Sequence, residues 1–169
     1  MRVLALANQK GGVGKTTLSC LLAFYLADKR KARVAVVDVD NQRNLSYTLR
    51  QYSVEMPSTL LFGDTPIRLP AVRRPITLLH ATPQLANLER ASAHEAQQRV
   101  RTFAAQIARL GEQFDYCVID PPPTLGVRMV ATLTSADFVV MPIELEEYSK
   151  QGVKAMHTSR SAAHALCYT

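Results

Sequence analysis

Cysteine is scarce in this chain: Cys20, Cys117 and Cys167 are the only three in 169 residues, and none forms a Cys-x-x-Cys pair. A scattered, odd set argues for reduced thiols rather than a disulfide framework or a cysteine zinc site. Cys20 and Cys117 stand in apolar stretches and are expected to be buried packing residues. Long hydrophobic runs are missing too, with nothing near the roughly 20 apolar residues that span a bilayer. The opening "MRVLALANQKGG" is too short an apolar run for a signal peptide and has no small-residue cleavage site. A cytoplasmic protein is expected. Repeats, low-complexity tracts and linkers are absent, and the length suits one domain over residues 1–169. His80, His94, His157 and His164 show no supported metal-ligand spacing, and Ser19 has no histidine partner in sequence for nucleophilic catalysis.

What is present is the composition of a globular protein, 47% hydrophobic and 20% charged. The net charge of +6 permits nucleic acid or an anionic membrane as a partner without choosing between them. Basic residues are spread along the chain, with a modest cluster at Lys29–Arg33.

Strand and helix patterns alternate. Strands are expected at Arg2–Ala7, Arg33–Asp40, Ile76–Ala81, Tyr116–Asp120 and Asp137–Ile143. Helices are expected at Thr16–Arg30, where apolar residues recur at helical spacing, at Ala93–Leu110, at Gly126–Thr134 and from about Ser149. Gly111 stands where a helix C-cap glycine belongs. The stretch Asn41–Pro75, broken by Pro57, Gly63, Pro66 and Pro70, reads as irregular. Alternation of this kind predicts an α/β fold: a mostly parallel sheet flanked by helices, with ligands at the strands' carboxyl ends.

Three of those carboxyl ends carry chemistry. "NQKGGVGKTT" (Asn8–Thr17) follows a strand and opens a helix, the context that makes a glycine loop a phosphate cradle. Gly11, Gly12 and Gly14 let the backbone of Lys10–Thr17, Val13 included, wrap an anion, and the helix adds its positive dipole end. Lys15 is expected to neutralise the β- and γ-phosphates of ATP, and Thr16 to bind Mg²⁺ with its hydroxyl. The ordinary Gly-x-x-x-x-Gly-Lys-Ser/Thr pattern is nevertheless broken, since Gln9 stands where its first glycine belongs, and a second lysine, Lys10, enters the loop. Asp38 and Asp40 lie just beyond a buried strand, where carboxylates can order Mg²⁺ and a water. Asp120 ends another strand before Pro121–Pro123, as a carboxylate that holds the metal through water does.

Taken in order, "KGGVGKTT", "VVDVD" with "QRNLS", "VIDPPPTLG" and "VVMPIELEEYSKQG" resemble the deviant Walker A P-loop ATPases of the ParA/MinD family. The resemblance runs over about residues 1–157 and is strongest to ParA-type DNA-partition proteins. It implies an ATP hydrolase, weak without its partner, that works as an ATP-driven dimerisation switch. Lys10 would reach across a sandwich homodimer to the partner's ATP, offsetting the repulsion of two apposed triphosphates, while Lys15 serves its own site. Asp40 would position the attacking water, Asp38 would support the metal and the first switch, and Asp120 would be the Walker B residue. Family members usually carry proline and glycine where this chain has Asn41 and Arg43.

A ParB-like centromere-binding protein and non-specific DNA are the implied partners, with nucleoid association in the cytoplasm and no membrane. The family usually continues past "SRSAAHALCYT" with further strands and an adenine-contacting segment, so the C-terminal part of the family fold is expected to be missing. A missing sheet neighbour would expose an edge. An N-terminal DNA-reading domain, which large relatives carry, is not expected here, since the sequence opens on the first strand. Three alternatives stand beside this reading: a MinD-like membrane-positioning ATPase, an amide-forming metabolic enzyme of the same superfamily, and an inactive truncated fragment. The first would need an amphipathic C-terminal helix stronger than "KQGVKAMHTSRSAAHALCYT".

Overall fold

The computed structural model describes residues 1–69, 74–143 and 158. The expected helix from about Ser149, Thr158 excepted, and the C-terminal tail lie outside the described residues. Among the described residues six strands form one parallel sheet in the order β3-β4-β2-β5-β1-β6. They are β1 (Arg2–Leu6), β2 (Val34–Asp38), β3 (Ser53–Pro57), β4 (Ile76–His80), β5 (Tyr116–Asp120) and β6 (Phe138–Val140). The helices are α1 (Lys15–Asp28), α2 (Asn44–Thr48), α3 (Ala93–Leu110) and α4 (Val127–Ser135).

Every residue of β2 is buried, because helices cover both faces of the sheet, and all but the terminal Asp38 are apolar, as such a position requires. The pleat divides the core in two. Val3, Ala5, Ala35, Val37, Cys117 and Ile119 face α3 and α4, where Phe103, Ile107 and Phe114 close the layer. Leu6, Val34, Val36 and Val118 face α1, against Ala23, Leu26 and Ala27. Cys20 and Cys117 are both buried free thiols, as expected. Burial of three or four such aliphatic side chains contributes about 1.5–3 kcal/mol each, so the two apolar layers dominate the stability of the sheet.

α3 spans the predicted residues. Ser92 opens it with a capping box: its hydroxyl accepts from Glu95 N–H while the Glu95 carboxylate accepts from Ser92 N–H. Gly111 does follow the last turn, but at φ −60 it is right-handed. Its missing side chain matters for space instead, since a Cβ there would lie 3.0 Å from the Ala108 carbonyl and 3.5 Å from Met1.

Residues 41–69 hold more regular structure than their sequence suggests. They include α2, the edge strand β3 and the 3₁₀ segment Ser58–Phe62. β3 was hidden because it is half-exposed, ends on Pro57, and bends at Glu55, whose φ is 58. Its register with β4 shifts between Ser53 and Pro57. The last strand is shorter than predicted: it starts at Phe138, and Asp137 turns its carboxylate back to accept from Val3 N–H at 2.8 Å. Among the described residues β6 is one sheet edge, with Phe138 and Val140 exposed, and no helix is long and apolar enough to cross a membrane.

Candidate active site

β1 and β5 are neighbours, but the chain leaving β1 runs through α1 to β2, on the far side of β5. The loop after β1 therefore sits above the end of β5, and Asp38 and Asp120 end paired strands in direct register. All three motif segments converge at the carboxyl end of the sheet, where an open α/β fold binds ligands.

The glycine loop is built to hold something other than itself. Gly12 and Gly14 take φ values of 78 and 87, conformations that a side chain resists. A Cβ built at Gly11, Gly12 or Gly14 would meet nothing within 4 Å, so the loop wraps open space. α1 begins at Gly14 with no side-chain cap and no acidic residue in its first turn, which leaves its first N–H groups for an anion. A cleft of about 370 Å³ lies over it, lined by Gly11, Gly12, Gly14 and Lys15–Thr17 on one side and by Asp40, Gln42, Asn44 and Pro123 on the other. A larger groove of about 740 Å³ runs alongside, past Arg43, Tyr47 and Arg50, but contains no residue of the glycine loop.

Lys15 is only 8% exposed, and its ammonium donates to the Lys10 carbonyl at 3.0 Å, closing the loop on itself. Burial lowers its pKa, opposed by the charges of Asp120 and Asp40. Lys10 is exposed, and its N–H donates to Asn8 Oδ1 at 2.9 Å. Asn8 itself is buried and donates from its amide to the Pro142 carbonyl at 2.8 Å, tying the loop to the chain after β6.

Thr16 donates its hydroxyl to Asp120 Oδ2 at 2.7 Å, and Ser19 donates to Asp120 Oδ1 at 3.2 Å. Burial pushes the Asp120 pKa up to about 7, with the charges of Asp38 and Asp40 adding to the effect and the two hydroxyls opposing it. Ser19, which sequence reasoning set aside as a nucleophile, is thus a brace on the carboxylate.

Asp38 is fully buried and its oxygens serve the loop it starts. Oδ1 accepts from Asp40 N–H at 3.0 Å, and Oδ2 accepts from both Ser46 N–H, at 2.8 Å, and Ser46 Oγ, at 2.6 Å. Burial raises its pKa to about 6 even so. Asp40 is half-buried at the cleft and accepts from Gln42 N–H at 2.9 Å. Arg43 adopts φ 61, the left-handed turn that a glycine would take without strain.

A Mg²⁺ ion fits this donor set. A hydroxyl and a carboxylate in contact, in a cleft with an anion cradle, supply the one or two protein ligands that Mg²⁺ takes when phosphate and water provide the rest. Among the described residues no group of three His, Cys, Asp or Glu side chains could hold a metal by itself.

Sequence reasoning missed four residues that shape the site: Asn8, Ser46, Glu89 and Arg128. Only Arg128 left a signal, as the one charge in the otherwise uncharged helix "VRMVATLTS".

Comparison with known proteins follows the same lines. An AAA domain family matches residues 1–165. Protein IncC of Escherichia coli is 44% identical over 169 residues, covering 94% of this chain and 45% of IncC. The chromosome partitioning protein ParA of Myxococcus xanthus is 34% identical, covering 93% of this chain and 57% of that protein. Cobyrinic acid a,c-diamide synthase from Mycobacterium smegmatis, solved with ADP and magnesium, superposes with a TM-score of 0.75 at 31% identity, over 98% of this chain and 69% of that one. The chain spans about half the length of the curated relatives it matches. With its parallel sheet, its two-lysine glycine loop and relatives of this kind, the chain belongs to the ParA/MinD family of deviant Walker A P-loop ATPases, alongside the ParA partition proteins.

Proposed function

We propose that this chain binds Mg²⁺–ATP in the cleft over the glycine loop and hydrolyses it as a dimerisation switch in DNA partition. The observation that carries the reading is the 2.7 Å contact of Thr16 with Asp120 beside an open glycine cradle. Bound there, the ion would offset phosphate charge as a Lewis acid. The chain's own residues do the remainder. The amides of residues 11–17 orient the phosphates, and Lys15, already desolvated, places a cation against them. Asp40, at the opposite wall of the cleft, orients the attacking water. Asp38 keeps the Asp40 loop in shape and supports the metal indirectly. Lys10, exposed in the glycine loop, serves the nucleotide of a second protomer, so that ATP and dimerisation are coupled.

Partition biology is carried over from the chromosome partitioning protein ParA. A ParB-like partner would stimulate hydrolysis, and DNA would bind without sequence preference. Lys29–Lys31 are exposed at the far end of α1, about 21 Å from the cleft, and are available to phosphates there.

The test is calorimetric titration with ATP, with and without Mg²⁺, followed by light scattering. The parent is expected to bind with Mg²⁺ and shift to a dimer. Lys10→Ala is expected to bind ATP and remain monomeric. A parent that takes up no nucleotide ends the reading, and a Lys10→Ala protein that dimerises normally removes the trans role of Lys10.

A further inference from the structure

We propose that Arg128 is a positioning residue that holds the Asp40 loop in register with the segment following Asp120. Arg128 is the second residue of α4 and is only 4% exposed. Its guanidinium reaches out of the helix in two directions. Nη1 donates to the Val39 carbonyl at 3.2 Å and to Asn41 Oδ1 at 3.0 Å, the residues on either side of Asp40. Nε donates to Glu89 Oε1 at 2.7 Å. Glu89 in turn accepts from Val127 N–H through Oε2 at 2.7 Å, so the same carboxylate caps the start of α4. Gly126 makes room for it: a Cβ there would lie 2.0 Å from Glu89 Oε2.

One buried guanidinium therefore joins three segments: the loop after β2, the 3₁₀ segment Pro83–Arg90 and the head of α4. Only residues 121–126 separate Asp120 from α4, and Pro123 among them lines the cleft. A further bond, Val39 N–H to the Asp120 carbonyl at 3.1 Å, ties the same two strand ends. A shift in either carboxylate-bearing segment is passed to the other through Arg128. The planar fork fixes the directions of its bonds, which an ammonium on a flexible stem does not. A buried ion pair serving stability alone is the competing account. It does not by itself explain why two of the donated bonds go to the residues on either side of Asp40.

This inference rests on the reading of Asp40 as the water-orienting residue only for its kinetic consequence; the effect on the loop is separately measurable. The full chain and its Arg128→Lys, Asn41→Ala and Glu89→Gln variants would be compared by amide hydrogen exchange, ATP calorimetry and single-turnover hydrolysis. Arg128→Lys is expected to speed exchange across residues 39–46 about tenfold while β2 and β5 keep their protection. Hydrolysis is expected to fall about tenfold or more, with ATP affinity within about twofold of the parent, because a misplaced positioning group affects the chemical step. Adding Asp40→Ala to Arg128→Lys should cost nothing beyond Asp40→Ala alone. Unchanged exchange over 39–46 in a folded Arg128→Lys protein overturns the proposal. If that variant does not fold, Asn41→Ala, an exposed substitution that removes one of the bracketing bonds, decides by the same exchange measurement. A parent that never hydrolyses ATP, combined with a loop that loosens on Arg128→Lys, would end the ATPase reading and leave the positioning role standing.

Discussion

Two loops at the same end of the sheet are built on opposite plans. The loop after β1 is glycine-rich, with Cβ-sized space around Gly11, Gly12 and Gly14 and a helix start that lacks a side-chain cap. The loop after β2 satisfies itself: Asp38 accepts three hydrogen bonds from Asp40 and Ser46, Ser58 donates to the Asp38 carbonyl at 2.6 Å, and Ser46 accepts from Ala81 N–H at 2.8 Å. The first loop leaves donors unspent for an anion. The second is an internal scaffold that presents one carboxylate, Asp40. Damage to the first should show in ligand binding, and damage to the second in stability.

The largest expected effect comes from the two buried carboxyls that close both loops. Asp120 and Asp38 are held above their ordinary 3.8, at about 7 and about 6. A folded-state value above the unfolded one means stability that is fully present below about pH 4 and lost as pH rises through 7. Chemical denaturation of the ligand-free protein between pH 4.5 and 8 should show the decline. Asp120→Asn should flatten it and make the variant the more stable form at pH 8; a parent curve that rises over this range would contradict the assignment.

Ser46→Ala tests the scaffold plan. It deletes a donor to Asp38 and strands the buried Ala81 N–H, an expected loss of about 2–3 kcal/mol in urea melts. Loss below about 0.5 kcal/mol would mean that the loop after β2 is no more tightly built than its neighbour. Lys15→Ala tests the open plan. ATP affinity should fall by about 1.5–3 kcal/mol while the stability of the free protein is unchanged or higher, since a desolvated cation is removed. Calorimetry and melting of the same variant separate the two. Arg43→Gly is the smallest change. It relieves a left-handed residue and should raise stability by about 0.5–1 kcal/mol, the gain being limited by the greater freedom of glycine in the unfolded chain.

Much of this molecule was readable from local pattern. The apolar runs of β1, β2, β4 and β5, the helical spacing of the 18-residue α3 and the glycine-rich turn each show themselves within a few residues of sequence, because burial on both faces and helical spacing leave direct marks. Motif spacing also singled out Lys15, Thr16, Asp40 and Asp120, which the fold brings to the cleft or against one another. Other features left no local mark. The edge strand β3 and the helix α2 sit in a stretch whose prolines and half-exposed residues obscure any period. That Asp38 is consumed by its own loop, that Ser19 braces Asp120, and that Arg128 reaches Val39 and Asn41 from 87–89 positions away depend on which strand ends are neighbours. Sequence marked most of the elements and the residue types at their ends. The sheet order, with β5 set between β1 and β2, decided which of those groups meet, because hydrogen bonds of 3 Å are made only between atoms that the topology has already brought together.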